Sequence, residues 1–93
     1  MKNRIESVYK KTERFAEVTK KAIITGNIGR AKKFLSLAEE ILESGSQETK
    51  AAISNIYVHT VSTFLEIKHC NISNFFPKNL KAEYMRQINS TSV

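Results

Sequence analysis

Cysteine, long apolar runs and catalytic motifs are scarce or missing in this sequence, and each shortage excludes a class of protein. Cys70 is the only cysteine, so no disulfide can form within the chain, and we expect a reducing compartment, the cytoplasm. No apolar stretch reaches the roughly 18 residues that a membrane span needs, and the first residues lack the apolar core of a secretory signal. No phosphate loop, dinucleotide fingerprint or zinc pattern occurs. We therefore expect a protein that is not an enzyme, holds no cofactor or metal, and does not act at a membrane.

The length and composition are those of one small folded domain. A chain of 93 residues is too short to fill two separate cores. A hydrophobic share of 41% and a charged share of 26% are ordinary for a globular protein and argue against disorder. Residues 1–93 are therefore predicted to form a single domain.

Apolar residues recur at steps of three and four along most of the chain, which is the pattern of amphipathic helices. Gly26 and Gly45 interrupt the pattern, each followed by a residue that caps helices well, Asn27 and Ser46. Pro77 occupies a position that the first turn of a helix tolerates. The predicted fold is all-α, an antiparallel three-helix core with a short fourth C-terminal helix, and the helices cover about 3–24, 28–44, 47–69 and 77–89.

The third predicted helix carries more apolar surface than one neighbour can cover. Besides its main apolar face it has a flanking line at steps of seven, Ala51, Val58 and Leu65. A fourth helix of about three turns shields only part of that length, so this line is a candidate self-association surface for a homodimer. In the alternative, the last helix and the Phe75–Phe76 connection cover the line in a monomer. The side chains predicted to be nearly fully buried are Ile56, Phe64, Phe34, Leu35 and Phe15.

The net charge of +6 is unevenly distributed. Five basic residues stand between positions 20 and 33 with no acidic residue among them, and they are a candidate polyanion contact: Lys20, Lys21, Arg30, Lys32 and Lys33. Solvated surface lysines are the alternative. The second helix ends on Glu39, Glu40 and Glu43, which an antiparallel hairpin would place beside Lys10, Lys11 and Arg14, so ion pairs between these groups are predicted.

Glu66, His69 and Cys70 share one side of a helix at steps of three and four, where they could converge on a metal ion. No second helix supplies a matching pair of ligands, and no carboxylate is placed to orient His69 beside Cys70 for nucleophilic catalysis. A solvated polar stripe is the favoured interpretation.

Two resemblances to known families emerge. The runs 38–41, 48–49, 53–55, 74–80, 83–84 and 87–89 resemble a family of small helical proteins from Bacteroidetes without an assigned function. That resemblance implies a stand-alone helical domain and no transferable site residues. More weakly, residues 15–43 resemble a single tetratricopeptide hairpin, although Phe15, Thr19 and Glu43 stand where that family has Trp, a small residue and Pro.

These observations favour a non-catalytic protein-interaction or regulatory module, with a second copy or an unknown protein as partner. The alternative is sequence-nonspecific nucleic-acid binding through the basic residues of the first turn. No reader motif is present, and the aromatic residues are predicted to face the core, where they cannot stack on bases.

Overall fold

The computed structural model describes residues 3–91 and, within them, the side chains of residues 8–89. Its long helices match the predicted ones closely. Helix α1 is Asn3–Ile24 and α2 is Ile28–Ser44. Three consecutive segments, Gln47–Ala52, Ile53–Tyr57 and Val58–Ile67, continue one another as α3. A one-turn helix α4, Ile72–Phe75, leads into the last helix α5, Lys78–Thr91. The all-α fold is confirmed.

The two turns that join the long helices form as their residues predict. Gly26 takes the left-handed conformation with φ 79°, and the Asn27 side chain accepts a hydrogen bond from the Arg30 backbone N–H at 3.3 Å. Ser46 caps α3 in the same way, its hydroxyl accepting from the Thr49 N–H at 3.3 Å. Gly45 is extended, but a Cβ there would lie 2.6 Å from the Ile41 carbonyl oxygen. Only glycine therefore fits at the end of α2.

The middle segment of α3 is a π-helical turn, which the sequence analysis did not predict. The Val58 N–H donates to the Ile53 carbonyl five residues earlier, instead of four as in an α-helix. A π turn contains more residues per turn than an α-helix. All later side chains are therefore rotated about the helix axis relative to an uninterrupted α-helix. Ile53, Tyr57, Val61 and Leu65, at four-residue steps, are consequently all buried.

This rotation corrects the predicted core. Leu35 is 1% exposed as expected, but Phe15, Phe34, Ile56 and Phe64 are only half-buried, so their predicted full burial was wrong. Ile56 lies within the π turn and is rotated away from the interior, while Val58 and Leu65 are rotated into it. One connected cluster joins α1, α2, α3 and α5 through these buried residues: Ala16, Leu35, Ala38, Ile53, Tyr57, Val58, Val61, Leu65, Phe76 and Leu80.

The acidic end of α2 holds the beginning of α5. The two carboxylate oxygens of Glu39 accept hydrogen bonds from the backbone N–H groups of Asn79 (2.9 Å) and Leu80 (3.0 Å), and Glu43 accepts from the Asn79 side-chain amide at 2.8 Å. The first N–H groups of a helix lack partners within the helix and carry partial positive charge. A carboxylate from another helix supplies both a hydrogen-bond acceptor for these N–H groups and a negative charge beside the positive end of the helix.

The predicted ion pairs between α1 and the end of α2 are wrong. Among the residues whose side chains the structure describes, Lys10, Lys11 and Arg14 have no carboxylate within 4.0 Å. The carboxylates of Glu39 and Glu43 are directed to the N-terminus of α5, whose positive end offsets the acidic end of α2.

Replacing Glu39 with Ala should lower the free energy of unfolding by about 1–2 kcal/mol, because two N–H groups at the start of α5 lose their acceptor. Glu40→Ala is the matched control, since Glu40 is its exposed neighbour on the same helix and should change stability by less than about 0.5 kcal/mol. Urea denaturation of both variants measures the difference. Equal losses would contradict the capping role of Glu39.

Tyr57 is the largest fully buried side chain, and it joins α3 to α1. Its hydroxyl lies 2.8 Å from the Thr19 hydroxyl oxygen. Thr19 donates its own proton to the Phe15 carbonyl at 2.9 Å, so the proton shared with Tyr57 comes from the tyrosine. The Tyr57 ring also packs on the Phe15 ring, with centroids 4.7 Å apart.

The burial of Tyr57 makes stability depend on alkaline pH. Desolvation by burial raises the pKa of the Tyr57 hydroxyl far above its ordinary value of 10.0. Above pH 10 the unfolded chain therefore loses this proton while the folded chain keeps it. The free energy of unfolding should fall as pH rises, by about 1.4 kcal/mol per pH unit from this group. Denaturation at several pH values should give a shallower decline for Tyr57→Phe than for the wild type, and identical slopes would contradict the burial of the hydroxyl.

Candidate functional site

The predicted self-association line is divided by the π turn. Val58 and Leu65 follow the turn and are 0% exposed within a single chain, packed in the cluster that Phe76 and Leu80 complete. Ala51 precedes the turn and stays half-exposed. A homodimer that buries Val58 or Leu65 at its interface is therefore excluded, because neither residue is exposed on the surface of a single chain.

Glu66, His69 and Cys70 do not form a metal site. Among the described residues, no group of three or more His, Cys, Asp or Glu side chains is placed to hold a metal ion. The Glu66 carboxylate instead accepts a short hydrogen bond from the Tyr84 hydroxyl of α5. His69 has left the helix and takes the left-handed conformation with φ 60°. Asn71 caps α4, its side chain accepting a hydrogen bond from the Ser73 N–H at 2.9 Å.

The five basic residues of the predicted polyanion contact lie in three different places. Lys20 pairs with Glu17 at 3.1 Å, and its Nζ lies 5.8 Å from the centre of the Phe64 ring on α3. Lys21 and Arg30 line a groove between α1 and α2. Lys32 and Lys33 belong to a separate, shallow surface of α2 beside Leu37 and Glu40. Of the five predicted residues, only Lys21 and Arg30 therefore line the groove.

The groove between α1 and α2, here the hairpin groove, encloses about 340 Å³ beside the first turn of the fold. Helix α1 contributes four residues at helical steps on one side, and α2 with its cap contributes the other side. The groove is on the part of the hairpin that α3 does not cover, since Ala16 and Thr19 face α3. Its lining residues are Val18, Lys21, Ala22, Thr25, Asn27, Arg30 and Phe34.

The floor of the hairpin groove is apolar and partly open to solvent. Val18 is 40% exposed, Ala22 is nearly buried beneath the groove, and Phe34 is half-buried. Ile24 and Ile28, on either side of the turn, are 63% and 38% exposed. Exposed apolar side chains therefore occur both in the groove and beside the turn.

The cations of the groove have no internal anion. Within the described residues, no carboxylate lies within 4.0 Å of Lys21 or Arg30. The Arg30 guanidinium carbon lies 5.6 Å from the centre of the Phe34 ring, a cation–π contact that holds the charge at the wall of the groove. The groove therefore presents two positive charges beside an apolar floor.

A second cleft, of about 430 Å³, separates α5 from α2 and the start of α3. Several polar groups in and beside this cleft bind one another. The Ser54 hydroxyl donates to Glu83 at 2.7 Å, and the Gln87 amide donates to the Ser54 carbonyl at 2.7 Å. Partial burial alone would raise the pKa of Glu83, but hydrogen bonds from Arg86 and Ser54 and the charge of Arg86 outweigh it, so this pKa lies below its ordinary value. These contacts attach α5 to the π turn, and we assign them a structural role.

Sequence reasoning found Lys21 and Arg30 but missed the apolar residues between them. Val18 was the available signal, since it is an apolar residue outside the main core face of α1, one turn before Ala22. Consecutive residues of a helix point about 100° apart, so Lys20 and Lys21 have different directions, but which of the two lines the groove depends on the position of α3.

The chain belongs to the family described as "Domain of unknown function (DUF7674)", which matches residues 2–90. The predicted membership of a small all-helical family without an assigned function is thereby confirmed. No curated protein and no solved structure matches the chain. Across residues 3–91, no helix is both long enough and apolar enough to cross a membrane.

Proposed function

We propose that this protein is a non-catalytic interaction module that binds a partner protein through the hairpin groove. The observation that carries the proposal is the exposed apolar floor of the groove, with Val18 40% exposed, beside two cations that have no carboxylate partner within 4.0 Å. A partner that covers the floor would remove apolar surface from water, and Arg30 on its aromatic support is the kind of residue that protein interfaces favour. We also propose a cytoplasmic location, which suits the free thiol of Cys70.

Sequence-nonspecific nucleic-acid binding is the second candidate. It is favoured by the excess of basic over acidic residues, a net charge of +6, and by the position of Lys32 and Lys33 on the surface next to the groove. Contacts with phosphates would make the affinity fall steeply as salt is raised. A groove that buries apolar surface would be much less sensitive to salt.

Site-specific photo-crosslinking in the native cell tests the proposal. A photoreactive benzophenone amino acid is placed either at Thr25, which lines the hairpin groove, or at Thr63, which is also an exposed threonine but lies on α3. We expect one discrete protein adduct from position 25 and none from position 63. An adduct from position 25 that nuclease removes would support the nucleic-acid alternative instead. No adduct from position 25, or the same adducts from both positions, would overturn both functions of the groove.

A further inference from the structure

The charges and the floor of the hairpin groove define the chemistry of the segment that fits it. Lys21 stands on the α1 side and Arg30 on the α2 side, while Val18, Ala22 and Phe34 form the apolar part. Two like charges beside one groove repel each other unless an anion lies between them. The apolar residues beside the two cations favour a ligand that carries an apolar side chain as well as the anion.

The dimensions of the groove favour a short segment over an extended polyanion. From Val18 to Thr25 this wall of the groove spans eight residues, and seven helical rises correspond to about 10 Å. Acidic groups also lie near the groove, since Glu17 precedes it on α1 and Glu40 lines the same surface of α2 as Lys33. A nucleic-acid backbone that followed the surface would meet these carboxylates after a few phosphates.

The aromatic ring in the groove is also not available to a base. The Arg30 guanidinium lies over the Phe34 ring at 5.6 Å, whereas binding of single strands relies on open ring faces for stacking. A carboxylate next to an aliphatic side chain matches the groove better, since it meets both cations and covers the floor.

We infer that the hairpin groove binds an acidic amphipathic segment of the partner protein. Its Asp or Glu carboxylate lies between Lys21 and Arg30, and its neighbouring Leu, Ile or Phe side chain packs on Val18, Ala22 and Phe34. This inference rests on the proposed function, because it specifies the partner segment for the same groove.

Selection from a random dodecapeptide library displayed on phage tests the inference, with the full-length protein immobilised as bait. We expect the selected peptides to carry Asp or Glu within four residues of a large apolar residue. Synthetic copies should bind the Lys21→Gln/Arg30→Gln double variant on the order of 3- to 20-fold more weakly, as two exposed ion pairs are lost. Lys32→Gln/Lys33→Gln is the matched control, with the same charge change outside the groove, and should alter the affinity less than about twofold.

The Val18→Asn variant separates failure of this inference from failure of the proposed function, and circular dichroism confirms that each variant is folded. Peptides that lose affinity for Val18→Asn but bind the Lys21→Gln/Arg30→Gln variant unchanged would overturn the acidic segment and keep the groove as a protein-binding surface. If the peptides bind Val18→Asn and wild type equally well, or if no peptide is enriched, both the acidic segment and the groove as a protein-binding surface are overturned. Binding of a dodecathymidine strand that requires the two cations and ignores Val18→Asn would overturn the acidic segment in favour of nucleic acid.

Discussion

Replacing Tyr57 with Ala should lower the free energy of unfolding by about 3–5 kcal/mol, the range for deleting a large buried aromatic side chain. Tyr57 is 0% exposed and is the largest of the fully buried side chains. Its removal leaves a cavity between α1 and α3, takes away the ring contact with Phe15 and leaves the Thr19 hydroxyl without its buried donor. A small domain is stable by only about 5–15 kcal/mol, so much of the protein would unfold on mild heating.

Tyr57→Phe is the matched control for that experiment. It keeps the ring and removes only the hydrogen bond to Thr19, so we expect a loss of about 1 kcal/mol. Thermal and urea denaturation of the wild type and both variants measure the two contributions. Similar losses in the two variants would mean that the ring is not packed as described.

Leu65→Ala should lower the free energy of unfolding by about 2–5 kcal/mol, because Leu65 is 0% exposed and joins α3 to the cluster that contains Leu80. Ile67 lies two residues later on the same helix and is 68% exposed. Ile67→Ala should therefore change stability by less than about 0.5 kcal/mol. Urea denaturation of the pair compares a core position with a surface position on one helix.

The same pair also tests the rotation caused by the π turn. In an uninterrupted α-helix, Ile67 shares the main apolar face with Phe64, and Leu65 belongs to the flanking line. A larger loss for Ile67→Ala than for Leu65→Ala would restore that arrangement and with it the predicted self-association surface.

The bounds of α1 and α2 and the caps at the two turns follow from short stretches of sequence, and these predictions succeeded. The end of α3 was placed at about 69 instead of at Ile67, and the short helix α4 was not predicted. Gly26 with Asn27 ends one helix and begins the next through contacts within a few residues. Gly45 and Ser46 do the same at the second turn. Such features depend on the backbone and its nearest neighbours, so a reader of the sequence has all the information that they require.

The π turn is accompanied by contacts far along the chain, which a periodic pattern does not contain. Its segment, Ile53–Tyr57, has ordinary helical residues. The Tyr57 hydroxyl meets Thr19, 38 residues away, and the Ser54 carbonyl meets Gln87, 33 residues away. Periodicity assumes a constant 100° per residue, so the assignment of Ile56 and Phe64 to the centre of the core failed after the first irregular turn.

The role of Glu39 had a signal in the sequence that charge counting overlooked. Pro77 precedes α5 and has no side-chain acceptor for the first N–H groups of that helix. A hydrogen-bond acceptor for these N–H groups therefore had to come from another element, and the carboxylates at the end of α2 were candidates for it. Opposite charges on α1 were a plausible partner for these glutamates, but the N-terminus of α5 offers Glu39 two directed hydrogen bonds.

The basic residues of the hairpin groove could be predicted from the sequence, but the concave shape of the groove could not. The basic residues at the first turn are visible in the sequence, and two of the five line the groove. Which lysines share a surface depends on where α3 packs, since Phe64 lies beside Lys20 and not beside Lys21. The concave shape arises from the angle between α1 and α2, which no local pattern specifies.

In evolutionary terms, the π turn gives α3 room for a change of length. The turn absorbs one residue more than an α-helix needs between Ile53 and Val58. A relative that lacked one residue there, such as the exposed Asn55, would continue as a regular α-helix with Val61 and Leu65 still directed inward. It would lose the displaced Ser54 carbonyl that Gln87 binds. A one-residue deletion between Val58 and Leu65 would not be compensated by the π turn. It would place Glu66 at the core position that Leu65 occupies.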